Sequence, residues 1–344
     1  NVAIWYRSHI VPFILFLIAF GIIATGGWIR ISDAGESCPD WPTCFGTWGF
    51  DVSPEEQEEW WKENPDEIDS RGEGHRYTSD QIFTEWLHRL LVGIIGILVL
   101  YSNYTAWSLR EEIGKQVYSL HFIVTILLVL QAIMGYITVD LDNAPWTVSL
   151  HLLLALTFTG SLIAVGLVWW QNQSGLPEYM QIEESSDKLR ILIGCVSLIV
   201  LVQLLIGAYL SSGYHRAACG IEFGDSWPLC DGKIVPNLSI LGLQIQFLHR
   251  ILAVGVFSLL FWSSRWIKAN HGKSVLSIFV DAALILFFLN ILLGGWYIVS
   301  AGFTSEAVFS GSLSLLHLLL GVCTFLCLAW AYLLCVIPSN DPKA

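Results

Sequence analysis

Four histidines stand near the starts of membrane-length apolar runs, and each could bind a metal. Glu85-Trp86-Leu87-His88-Arg89 opens the run 90–101, and Gln246-Phe247-Leu248-His249-Arg250 opens a later one. His151 in Ser149-Leu150-His151-Leu152-Leu153-Leu154 is matched by His317 in Leu315-Leu316-His317-Leu318-Leu319-Leu320. Ionisable residues at the edge of a membrane segment are costly to bury and read by default as functional. Glu85 and His88 are three residues apart, hence neighbours on one helical face. The two leading copies differ at one chemical position, an acid at 85 and an amide at 246.

Histidines from facing helices of a bundle can grip a haem iron from both sides. A lone membrane histidine could be a helix–helix hydrogen bond, but a two-by-two set at one depth fits that poorly. It predicts one bis-histidine haem site per half, His88 with His151 and His249 with His317. A zinc or copper site would want a third ligand, and only Glu85 in one half offers it. Arg89 and Arg250, adjacent to these histidines, are candidate partners for haem propionates or else snorkel to lipid headgroups. A carboxylate beside a haem pocket can take or deliver protons, and an amide of nearly the same shape cannot. The first half therefore reads as reactive and the second as electron storage.

The elements that must position these residues follow from composition. At 344 residues, 54% hydrophobic and 13% charged, with a mean hydropathy of +0.60, the chain is too apolar for a soluble domain of its size. It reads as an all-α integral membrane protein. Roughly 20 apolar residues span a bilayer, and eight stretches qualify: 10–29, 83–107, 118–139, 147–170, 190–211, 243–264, 275–299 and 312–336. His249 follows His88 by 161 residues and His317 follows His151 by 166, while Asn290-Ile291-Leu292-Leu293-Gly294 echoes Gln131-Ala132-Ile133-Met134-Gly135. Eight transmembrane helices in two tandem four-helix bundles, related by pseudo-twofold symmetry, are expected. Residues 1–170 make the first repeat, 171–189 a polar cytoplasmic linker, and 190–344 the second repeat.

Arg265, Lys268 and Lys273, with Arg110, Lys115, Lys188 and Arg190 on the same side, mark the cytoplasmic face. Both termini then face the cytoplasm from a plasma membrane, with the cysteine loops outside, and the first apolar run is a true span with no signal cleavage site. Of the net charge of −12, nearly all belongs to one external loop, where fourteen acids between residues 31 and 82 face Lys62, Arg71 and Arg76. That excludes nucleic acid as a partner.

In that loop, Cys38 and Cys44 flank Pro39-Asp40-Trp41-Pro42-Thr43, and Cys219 and Cys230 flank Ser226-Trp227-Pro228-Leu229 in the second half. In an oxidising compartment each pair favours a disulfide over free thiols or a transient redox pair. Cys195, Cys323, Cys327 and Cys335 lie within spans and read as small packing residues. Residues 50–81 are an acidic insert without a later counterpart. Its Ser53-Pro54-Glu55-Glu56 predicts a capped surface helix to about Glu63, with Trp60 and Trp61 on the membrane surface or the bundle. The insert reads as a solvated face or as a docking surface for a basic partner. Arg30 at the end of the first span is a topology anchor or an anion contact. His121 is expected to be structural, and His9, His75, His215 and His271 carry no role.

Glu85-x-x-His88-Arg89, His151, the Cys38–Cys44 loop, His249-Arg250 and His317 together resemble the haem A synthase family, in its cysteine-containing bacterial and archaeal branch. The resemblance covers the chain apart from the acidic insert. It implies haem B (iron) as cofactor at His249 and His317, and substrate haem O at His88 and His151, beside which Arg250 and Arg89 are the haem-binding candidates given above. It further implies that Glu85 takes part in oxidising a ring methyl to the formyl of haem A by successive hydroxylations, with haem B relaying electrons. Implied ligands are haem O and membrane lipid. Association with haem O synthase, with an electron-transfer partner or with a second copy stays open. Readings from other classes are a diheme membrane cytochrome exchanging electrons with quinone, and a haem-binding assembly or transport protein without chemistry.

Overall fold

The computed structural model describes residues 9–67, 71–72, 74–182, 186–213, 215–304 and 308–337. Both chain ends, part of the linker (183–185), Asp69 and Glu73 of the insert, and 305–307 lie outside the described residues. In chain order the helices are α1 Ile10–Ile31, α2 Pro54–Glu63, α3 Ser79–Ser108, α4 Arg110–Ile113, α5 Lys115–Asp140, α6 Pro145–Ser174, α7 Asp187–Ser212, α8 Leu241–His271, α9 Val275–Ser300 and α10 Gly311–Val336. All but α2 and α4 are long and apolar enough to cross a membrane, eight spans among the described residues. The protein is a multi-pass, all-α membrane protein.

Polar caps set where the spans begin. Thr78 and Gln81 form a capping box, Gln81 N donating to Thr78 Oγ1 at 3.3 Å and Thr78 N to Gln81 Oε1 at 3.0 Å. Gln81 Nε2 also donates to Ser32 O at 3.0 Å, tying this start to the end of α1. As a result α3 begins four residues before its apolar run, because the cap lengthens it beyond the lipid-compatible stretch. Ser186, Ser274 and Ser310 cap α7, α9 and α10, and Pro145 opens α6. His88, His151, His249 and His317 therefore lie six to nine residues into α3, α6, α8 and α10. That is about 9–14 Å along each axis, somewhat deeper than the apolar pattern alone places them.

Within the first four spans, α1 packs on α3 and α6, and α5 on α3 and α6; within the last four, α7 packs on α8 and α10, and α9 on α8 and α10. The first group closes on Leu15, Ile95, Val124, Leu162 and Trp169. The second closes on Ile193, Val200, Leu260, Val280 and Leu328. Ile23 of α1, Leu156 and Ile163 of α6, and Val322 and Leu326 of α10 form the seam between them. Outward faces carry exposed Leu17, Ile97, Leu198, Val254 and Ile278, as lipid contact requires.

Both cysteine pairs are disulfide-bonded. Cys44 and Thr47 exchange backbone hydrogen bonds at 2.9 and 3.1 Å, and so do Cys230 and Lys233. The residues between, Phe45-Gly46 and Asp231-Gly232, all have positive φ (52°, 75°, 54° and 68°), the two-residue turn that favours glycine second. The bridges close over 6 and 11 residues, yet both loops finish on the same turn. Of the other cysteines Cys195 is exposed on α7, whereas Cys335 is buried.

Helix α2 has the capping box of Ser53 and Glu56. Trp60 and Trp61 meet Phe45 edge-on, at 5.6 and 5.2 Å between ring centres. The hairpin turn presents Phe45 to them, and with Cys38, Cys44, Val52, Tyr77 and Ile82 they make a small separate core. Buried Gln57 closes this unit, donating to Val52 O at 3.3 Å and Tyr77 O at 3.0 Å while accepting from Tyr77 N at 2.9 Å.

Candidate functional site

Each of the four histidines is met by a glycine from a neighbouring span. A Cβ on Gly26 (α1) would lie 3.2 Å from Cε1 of His88; on Gly135 (α5), 3.2 Å from His151; on Gly207 (α7), 3.1 Å from His249; on Gly294 (α9), 2.7 Å from His317. Each ring turns its Cε1 towards backbone that a side chain would crowd. A polar residue from the same span then touches the same histidine. Thr25 Oγ1 is 3.0 Å from His88 Nδ1, Gln131 Nε2 is 3.3 Å from His151 Nε2, and Gln203 Nε2 is 3.1 Å from His249 Nδ1. Asn290 supplies its backbone oxygen, 3.1 Å from His317 Nδ1.

Two of these contacts fix the tautomer. Thr25 gives its one hydroxyl proton to Ile22 O at 3.0 Å, so towards His88 it can only accept, and His88 Nδ1 carries the proton. Asn290 O has no proton to give, so His317 Nδ1 is also the donor. Both rings are left with a bare Nε2, the state in which imidazole binds a metal, with the other nitrogen held by an oxygen acceptor. An imidazole nitrogen sits about 2 Å from its metal, which puts two rings on opposite sides of one iron about 6 Å apart between centres. His249 and His317 are 6.5 Å apart.

All four histidines line one cavity of about 1820 Å³, walled also by Glu85, Arg89, Gln246 and Arg250. A single small-molecule site occupies roughly 300–1,000 Å³, so this space suits more than one large ligand. Its walls hold buried polar atoms without a protein partner: His151 Nδ1, Gln131 Oε1, Gln203 Oε1 and Asn290 Oδ1. A pair of facing imidazoles in an apolar cavity of this size fits a haem.

Glu85 is buried at 6% exposure, and its Oε1 accepts from Arg89 Nε at 2.8 Å. Arg89 spends its remaining nitrogens on the disulfide loop, Nη2 donating to Cys38 O at 2.6 Å and Nη1 to Asp40 O at 2.5 Å and Thr43 O at 3.2 Å. Arg250 reaches its own cysteine loop with one nitrogen, Nη1 donating to Ser226 O and Leu229 O, both at 2.6 Å. Arg89 and Arg250, candidates for haem propionates, thus each also bond the cysteine loop of their own half. Gln246 holds no arginine; its Nε2 donates to His215 O at 3.1 Å and Arg216 O at 2.8 Å. A carboxylate there would set its lone pairs against two carbonyl oxygens.

The sequence model of the COX15-CtaA cytochrome oxidase assembly proteins matches residues 9–294. The chain belongs to this family. The COX15-CtaA match thus takes in His88, His151 and His249 and ends before α10 and His317. Among named relatives, the heme A synthase of Shewanella oneidensis is 29% identical over 220 residues, 64% of this chain and 60% of that protein. The heme A synthase of Bartonella henselae is 23% identical over 296 residues, 80% of this chain and 77% of that one. That of Shouchella clausii is 22% identical over 268 residues, covering 77% and 78%.

In this family member the wall behind the histidines went unread in the sequence. Gln203-Leu204-Leu205-Ile206-Gly207 is a third copy of the amide-x-x-x-glycine string at 131–135 and 290–294. Four-residue spacing puts amide and glycine on one helical face, so three copies of the string were the available signal. His121 is structural as expected, its Nε2 2.9 Å from Ser102 Oγ and its Nδ1 3.0 Å from Val117 O.

Proposed function

We propose that this chain is a haem A synthase, oxidising a ring methyl of haem O to the formyl of haem A by successive hydroxylations. The observation that carries the reading is one cavity lined by His88, His151, His249 and His317, with Glu85 beside the first and Gln246 at the matching position of the second half. The names of the relatives supply the substrate and product. In this reading residues 1–170 hold the substrate haem at His88 and His151, and residues 190–344 hold haem B at His249 and His317. Bound there, haem B supplies a one-electron redox centre. Glu85 presents Oε2, which takes no hydrogen bond from the described residues, to the reacting edge and moves protons there. Gln246 exchanges no proton, because an amide neither gains nor loses one near neutral pH; its Nε2 instead donates to two carbonyls. The Lys and Arg distribution supports a plasma-membrane setting with the cysteine loops outside.

Pigment extraction from the purified protein tests this directly. Haem B together with haem O or haem A is expected; haem B alone, from cells that make haem O, would leave a plain electron carrier.

The histidine walls give a second test. Gly294→Ala drives a methyl to 2.7 Å from His317 Cε1, a contact that forces the ring away. The low-spin haem absorbance of the purified protein is expected to fall by about half, as one of two sites is lost. Gly255→Ala, with nothing within 4 Å of its Cβ, should leave it unchanged. Equal spectra from the two variants would argue against His317 as a ligand.

A further inference from the structure

Arg250 has Nη1 committed to its loop, and another guanidinium stands at the second-half part of the cavity. Arg216 lines the cavity together with His249 and His317. Among the described residues it has no carboxylate within ion-pair distance. Its contacts are one long hydrogen bond, Nη1 to Tyr297 Oη at 3.4 Å, and the face of Phe309, 5.9 Å from the guanidinium carbon. A guanidinium facing an apolar cavity without an anion is costly. A planar fork of donors matches a carboxylate or a phosphate.

The backbone bearing Arg216 is itself held. Buried Gln246 donates to the carbonyls of residues 215 and 216, which a carboxylate there could not do. Beside it, Arg30 of α1 lines the same cavity and donates to Ser211 Oγ of α7 at 2.7 Å, bringing a second guanidinium to the seam between the two groups of spans. The glutamine that replaces the acid therefore has a positive task. It sets the height of Arg216 over the cavity.

We propose that Arg216 is a carboxylate-binding residue for a propionate of the haem held by His249 and His317, and that Gln246 is its positioning residue. This rests on the haem reading above and goes beyond it by naming the group that recognises the acidic edge. A lipid headgroup phosphate offers similar chemistry from another source, so the test separates the two.

Purified protein is loaded with haem B or with haem B dimethyl ester, and release to apomyoglobin is timed alongside the low-spin spectrum. In the wild type the ester should leave about tenfold faster than the acid, the worth of one charge-assisted hydrogen bond. In Arg216→Gln the acid should leave about tenfold faster than in the wild type, and the gap between acid and ester should close to within about twofold. Gln246→Glu should show an intermediate gap, and Arg216→Lys should restore part of it while preserving the fold. Release that accelerates equally for acid and ester in Arg216→Gln, or an acid–ester gap unchanged in both Arg216 variants, would overturn the proposal and leave Arg216 to lipid or packing. A wild type with no low-spin haem would instead sink the haem reading itself.

Discussion

Glu85→Gln is expected to leave both haems bound and to lower haem A formation by about 10²–10⁴-fold, the usual worth of a positioned acid or base. Shape is nearly preserved, and the amide oxygen can still accept from Arg89 Nε, now 2.8 Å from Glu85 Oε1. Arg89 keeps its three loop carbonyls, so the loss of one negative charge does not strand it. What disappears is a group able to gain and lose a proton beside the substrate pair. The ratio of haem O to haem A in the extracted pigment reads the effect, with total haem as the control. Undiminished haem A from this variant would remove Glu85 from the chemistry and favour simple electron transfer.

Arg89→Met is expected to be the most destabilising single change at the site. It breaks an ion pair in which the side chain of Glu85 is 7% and that of Arg89 17% exposed and leaves a buried carboxylate unpaired. Such a loss costs about 3–5 kcal/mol. The carbonyls of Cys38, Asp40 and Thr43 lose their donor at the same time, so the disulfide loop should become more sensitive to protease. The double variant Glu85→Gln with Arg89→Met should melt higher than Arg89→Met alone, since the stranded charge is gone. Arg89→Lys keeps the charge without the fork and should fall between. Wild-type melting and wild-type protease resistance in Arg89→Met would show that the clasp contributes nothing.

Much of this architecture was legible because lipid makes strong demands on sequence. Eight apolar runs, the cap at Ser53 and the matched cysteines each have a one-dimensional signature, and the helices and disulfides follow them. The arginines were harder. A guanidinium beside a buried histidine has the same signature whether its partner is a propionate or a peptide carbonyl, and carbonyls carry no side-chain mark. Nor could the sequence show that Trp60 and Trp61 would settle on Phe45, since that contact needs the turn at 45–46 to aim the ring. The glycines against the imidazoles were visible as letters, but in membrane helices glycine ordinarily signals close packing of backbones. Only the rings lying on them gave them a different meaning.

The Gln57 bridge has a practical corollary. By joining Val52 to Tyr77 through one buried amide, it brings together the two ends of the stretch from Glu58 to Arg76. A chain whose ends already meet tolerates changes of length cheaply, about 0.6 kcal/mol for each doubling. An epitope or fluorophore spliced between Asn64 and His75 would therefore report from which side of the bilayer that stretch is accessible.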